Sequence, residues 1–131
     1  MKSIPSMGVD AETEKTIRLI DVLWFEKNSA VVAAAFEVEK STSIYSGMLR
    51  LMDLHHAFSD RASDLYIVIP NNREKEVRFQ MNRPGLKAGQ VMMQYILFND
   101  LTKHCEALCK FGDSKDILKK IAIHGDGSGR I

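Results

Sequence analysis

The sequence predicts an α/β fold, a mixed four-stranded sheet flanked by helices. Three observations predict it. Runs rich in β-branched and aromatic residues alternate with stretches of helical periodicity. One of those runs, AVVAAAFEVE, is apolar on both faces until it reaches its glutamates, the pattern of a strand inside a sheet. The later runs are separated by segments long enough to hold crossover helices, as parallel strands require.

Residues 1–15 carry Pro, Gly and several charges without periodicity and read as a flexible N-terminal arm. Thr16 to Glu26 is rich in β-formers and reads as the first strand. Lys27-Asn28-Ser29 is turn chemistry, and Ala30 to Glu39 is the second strand, so the pair forms a hairpin. Ser41-Thr42-Ser43 supplies N-cap candidates. Ile44 to Ser59 follows as a helix, with Ile44, Met48, Leu51, Met52 and Phe58 near helical spacing. Leu65 to Pro70 is a short apolar strand, parallel to its predecessor across that helix. Asn71 or Asn72 caps a helix to about Met81, and Arg83-Pro84-Gly85 ends it. Val91 to Phe98 is the fourth strand. Asn99 caps a helix to about Phe111, and Asp113 or Ser114 caps a last one to about Ile123. A single domain over 16–124 and a Gly-rich flexible tail over 125–131 complete the reading.

The chain has 131 residues, 45% of them apolar, which is ordinary for one domain with its own core. The net charge of +1 gives no global attraction for a polyanion, so any nucleic-acid contact must come from a local patch. No apolar run approaches the roughly 20 residues of a membrane span, and no secretory leader is visible. Cys105 and Cys109 do not make a disulfide framework, and a reducing cytoplasm fits them.

Carboxylates carry the chemical signal. Side chains alternate along a strand, so Glu37 and Glu39 point to one face. Asp21 stands alone among apolar neighbours in the preceding strand. A three-residue loop, Asn28 to Ala30, sets Asp21 opposite Glu37, with side-chain roots about 5 Å apart. A change of one residue in the loop breaks that opposition. Three carboxylates converging in a half-buried place repel one another and take up protons unless a cation balances them. Hard oxygen donors suit Mg²⁺ or Mn²⁺. On spacing alone the acids also fit an ordinary strand end, with Glu39-Lys40 as a surface pair.

The string Ile20-Asp21-Val22-Leu23-Trp24, then AAFEVEKSTSIYSGMLRLMDL, then LYIVIPNNREKEV, then Arg83-Pro84, resembles a bacterial and archaeal group of restriction-endonuclease-like proteins in the PD-(D/E)xK nuclease superfamily. The resemblance covers roughly Leu19 to Phe98. It implies a restriction-endonuclease-like core and metal-dependent hydrolysis of DNA phosphodiesters, with Mg²⁺ or Mn²⁺ as cofactor. Asp21, Glu37 and Glu39 are then the catalytic residues, Asp21 and Glu37 holding the metal. Glu39 stands where the superfamily usually has Lys, giving E-x-E. The superfamily core starts with a helix and a strand ahead of the first acid, which the residues before Asp21 do not match. A homodimer or a partner chain is therefore expected to complete the core. The alternative is a catalytically inactive nuclease-like module that binds nucleic acid or a partner protein.

Other residues carry two readings each. Lys40, Ser41, Thr42, Ser43 and Tyr45 at the start of the helix, with Arg50 and Arg73, are candidates for holding phosphate; capping and solvation explain them equally simply. Arg73, Lys75, Arg78 and Arg83, with Lys119, Lys120 and Arg130, can face a DNA backbone or form a solvated face balanced by Glu74 and Glu76. His55 and His56 diverge by about 100° on a helix and cannot chelate one ion well. His104, Cys105 and Cys109 on one helix face make a poor zinc cage. Trp24 reads as core.

Overall fold

The computed structural model describes residues 10–26, 31–58, 63–88, 91–110 and 121–124; the side chains of residues 87–88 and 105–110 are not described. The chain runs as helix α1 (Ala11–Ile17), strand β1 (Val22–Phe25), β2 (Val32–Val38), α2 (Ile44–Ala57), β3 (Asp64–Ile69), a single 3₁₀ turn over Asn71–Arg73, α3 (Glu74–Met81), α4 (Pro84–Ala88), β4 (Met93–Leu97), α5 (Phe98–Lys110) and β5 (Ile123–His124).

The strands form one mixed sheet in the order β1-β2-β3-β4-β5. β1 is antiparallel to β2; β2, β3 and β4 are mutually parallel; β5 is antiparallel to β4. The class is α/β, as expected, but the sheet has five strands and not four. The fifth is two residues long, too short to leave a period-two pattern. Ile123, expected to end a helix, lies in this strand, and the body of that helix falls outside the described residues, as do the tail and the expected hairpin loop.

Two apolar layers sandwich the sheet. Ala35, Leu65, Ile67, Ile69, Tyr95 and Leu97 point to one face, where Ile17, Ile44, Met48, Leu51, Leu54, Val77 and Leu86 of the first four helices cover them. Ala34, Phe36, Tyr66, Val68 and Ile96 point to the other, beneath Phe98 and Leu101 of α5. Trp24 packs there edge-on to Phe36, with ring centroids 4.8 Å apart, as its core reading requires.

The N-terminal region is the main departure. Thr16 and Ile17, expected in a strand, end α1, and the strand begins only at Val22. Part of the segment expected as a loose arm is thus helical. Asp10 caps the helix by accepting from the Thr13 amide at 2.8 Å. Arg18 pairs with Glu14 at 3.0 Å one turn back. α1 packs on α2, and Ile17 and Ile20 are buried in the same core cluster as Ile44, Met48, Leu51 and Leu54 of that helix. Cap and burial override the β preference of Thr16 and Ile17. A helix therefore does precede Asp21, contrary to expectation, and no strand stands between them. The expected halt at Pro84 is also refined. α3 stops at Met81, and Pro84 opens α4, where its missing N–H has no helical partner to lose.

Candidate active site

The hairpin register brings the carboxylates together. Val22 faces Phe36, Leu23 faces Ala35 and Trp24 faces Ala34. One step further along this ladder sets Asp21 opposite Glu37, the pairing the sequence allowed. The Asp21 carboxylate accepts from the Val38 amide at 2.8 Å, which ties the turn after α1 to the end of β2. Glu39 lies one residue beyond β2, and its amide donates to the Val68 carbonyl at 2.9 Å, continuing the parallel ladder. Alternation then points Glu37 and Glu39 to the same face, beneath the first turns of α2. One carboxylate oxygen from each of Asp21, Glu37 and Glu39 lies within 4.8 Å of the others. Among the described residues this is the one such group of potential metal ligands.

Glu37 and Glu39 are almost wholly buried, at 0% and 2% exposure, while Asp21 is open to solvent. Burial pushes the Glu37 carboxyl up to about 7; the Arg50 guanidinium opposes this, and the nearby Asp21 charge adds to it. Burial raises Glu39 as well.

Arg50, a phosphate candidate from the sequence, grips the glutamates. Its Nε donates to Glu37 Oε1 at 2.7 Å, and its Nη2 donates to Glu37 Oε2 at 3.0 Å and to Glu39 Oε1 at 3.3 Å. This two-pronged contact is the strong form of an arginine–carboxylate pair. The bond to Glu37 in turn raises the pKa of Arg50. The Thr42 hydroxyl donates to Glu39 Oε2. Arg73 reaches across from the start of α3: its Nη1 donates to the carbonyls of Glu39 at 3.1 Å and Thr42 at 2.8 Å, while Glu76 holds its other edge. Ser43 caps α2, its hydroxyl accepting from the Ser46 amide at 3.1 Å, so the capping reading describes it. Lys40, Ser41 and Tyr45 are exposed beside the site, and the Arg83 guanidinium lies over the Tyr45 ring, 4.8 Å from its centroid.

Sequence reasoning missed Gly47. A Cβ at this position meets Glu39 Oε1 at 2.6 Å and Glu37 Cβ at 3.2 Å. Glycine here lets α2 lie directly on the glutamates. The signal was available, since a glycine inside a helical pattern costs stability relative to Ala and calls for a packing reason. The remaining candidates stay apart from this cluster. His55 and His56 meet edge to face, 5.3 Å between centroids, on α2. The side chains of Cys105 and Cys109, and residues Lys119, Lys120 and Arg130, lie outside the described residues.

Residues 1–122 match the family described as the type II restriction enzyme NmeDI C-terminal domain. No curated protein and no solved structure gives a significant match. No helix among the described residues is long and apolar enough to cross a membrane.

Proposed function

The chain belongs to the type II restriction enzyme NmeDI C-terminal domain family, and from that premise we propose that it is a Mg²⁺-dependent nuclease module hydrolysing DNA phosphodiester bonds in a restriction-endonuclease-like core. The convergence of Asp21, Glu37 and Glu39 oxygens within 4.8 Å carries this reading. The donor set fits a divalent cation. The three carboxylates crowd together with Arg50 bound to the glutamates, and all three offer hard oxygen. Mn²⁺ fits the same donors.

Asp21 and Glu37 hold the metal in this reading. A bound Mg²⁺ supplies Lewis acidity toward a phosphoryl oxygen. Glu39 takes the place of the superfamily's lysine as a proton acceptor. Its raised pKa suits it to accept the proton of an attacking water. Water adds to phosphorus as one P–O ester bond breaks, and the leaving oxygen is protonated from solvent. Arg50 supplies the positive charge that a carboxylate in the lysine position cannot, and it orients both glutamates. Lys40 and Ser41 stand open to the approaching phosphate. A homodimer, or a partner chain pairing on the exposed side of β1, belongs to the same proposal, because β1 ends the sheet there among the described residues, and Leu19 ahead of it and Val22 at its start are exposed.

The test is cleavage of supercoiled plasmid with Mg²⁺ or Mn²⁺. Glu37→Gln is expected to lower the rate at least about a hundredfold, the scale of losing a positioned catalytic group. Plasmid left intact at high protein concentration with either metal sinks the proposal. One observation favours a second reading, a non-catalytic module that binds DNA. Both Glu37 oxygens are already engaged by Arg50. Salt-dependent DNA binding with no calorimetric Mg²⁺ or Mn²⁺ binding selects that reading.

A further inference from the structure

The contact between Arg50 and the glutamates is buried at one end and open at the other. The Glu37 side chain is fully buried, whereas the Arg50 side chain is 30% exposed. Arg50 holds both oxygens of the Glu37 carboxylate, at 2.7 and 3.0 Å, and Oε1 of Glu39 at 3.3 Å. The second Glu39 oxygen accepts from the Thr42 hydroxyl. Asp21 is the acid that Arg50 does not hold; it is exposed, and one of its oxygens accepts from the Val38 amide. A cation that draws one oxygen from each acid therefore needs an oxygen that Arg50 already occupies.

The backbone is arranged for this contact. Gly47 and Arg50 lie three residues apart on α2, so they share one face of it. A Cβ at Gly47 meets Glu39 Oε1, the same oxygen that Arg50 Nη2 holds. Glycine thus lets the helix come down until the guanidinium spans both carboxylates. Arg73 acts one step away. It binds the backbone carbonyls of Glu39 and Thr42 and the Glu76 side chain. Among the described residues, Arg50 is the cation bonded to the two buried carboxylates.

Two cations repel one another on these oxygens. Charge is screened poorly where the glutamates are buried, so a divalent ion beside a fixed guanidinium is strongly disfavoured. Mg²⁺ also demands oxygens at about 2.0–2.1 Å in near-octahedral geometry, which a two-pronged guanidinium on the same carboxylate obstructs. The exposed side of Arg50 gives the guanidinium a way out to solvent. We infer that Arg50 is an exchangeable latch on the carboxylate site. It neutralises the glutamates while no metal is bound, and it leaves Glu37 when a divalent cation enters. The inference rests on the reading of Asp21, Glu37 and Glu39 as a metal site and adds what controls entry to it. Once released, the guanidinium stays tethered by α2 beside the site, where an arriving phosphate offers it a new anionic partner.

Calorimetry of Mn²⁺ binding to the full chain and to its Arg50→Ala variant tests the latch, with no DNA and no cleavage involved. Arg50→Ala is expected to bind Mn²⁺ roughly 10- to 100-fold more tightly, the span for giving up one hydrogen bond to a charged group. Dissolved guanidinium ion, far below denaturing concentrations, is expected to weaken Mn²⁺ binding to Arg50→Ala more than sodium chloride at the same concentration does. A further measurement needs no variant. In the parent, the Arg50 Nε–H signal in nuclear magnetic resonance is expected to exchange slowly with water, because Glu37 holds it. That protection is expected to be lost as Mg²⁺ is added. Equal or weaker Mn²⁺ binding by Arg50→Ala overturns the latch and leaves the metal site standing. Guanidinium no more effective than sodium does the same, as does protection that persists at saturating Mg²⁺. Binding of Mn²⁺ to neither protein removes the metal site itself, and the latch with it.

Discussion

In most helices an exchange of glycine for alanine stabilises by about 0.5–1 kcal/mol, because glycine loses more backbone freedom on folding. Gly47 reverses that expectation. The added methyl meets Glu39 Oε1 and Glu37 Cβ, and the glutamates cannot easily yield. Glu37 belongs to β2, and the Glu39 carboxylate is held by Thr42 and Arg50. Gly47→Ala is expected to destabilise by about 1–3 kcal/mol, the scale of overpacking in a filled site, and to weaken Mg²⁺ binding. Urea denaturation and metal calorimetry read the two effects; a stabilised variant with unchanged metal affinity refutes this account. Residue identity and strand alternation were enough to single out Asp21, Glu37 and Glu39. They were not enough for Arg50. Its partners lie in β2 and one residue beyond it, 13 and 11 residues away in sequence, and a lone arginine on a helix looks the same whether it faces phosphate or a buried carboxylate.

At the scale of elements, the parallel strands and α2 were legible because their apolar patterns are long and regular. The N-terminal helix was not. α1 is 7 residues long and ends in β-branched residues, so local preference argues for a strand. The helix is settled by the Asp10 cap and by burial of Ile17 in the core that α2 shares. Its role in the fold can be measured. Ile17 is fully buried, so Ile17→Ala is expected to cost about 2–5 kcal/mol in urea denaturation, as core truncations of isoleucine do. A change below about 0.5 kcal/mol marks α1 as a detachable arm, since that is the scale of surface substitutions. α1 also leads straight into the turn that carries Asp21, so the same variant is expected to weaken metal binding.

For the whole molecule, the carboxylate site links stability to pH and metal. Folding lifts the Glu37 pKa from 4.5 to about 7. The folded state therefore binds the proton more tightly than the unfolded chain. The stability this contributes is fully present below about pH 4.5 and is lost as pH rises through about 7. Without metal, the melting temperature is expected to fall across that window. Metal requires the ionised carboxylates and displaces the proton. Mg²⁺ is therefore expected to raise the melting temperature more at about pH 8 than at about pH 5.5. Equal shifts at the two pH values contradict the assignment of Glu37 as a ligand. The sequence by itself determined the α/β class, the succession of the main strands along the chain and the choice of the three acids as candidates, because each rests on local periodicity or on residue type. Tertiary packing decided the rest. It turned the N-terminal segment into a helix, set Arg50 on the glutamates and made Gly47 a necessity of close approach. Each of these depends on which distant surfaces meet, and a contact between residues far apart in the chain leaves no local pattern to read.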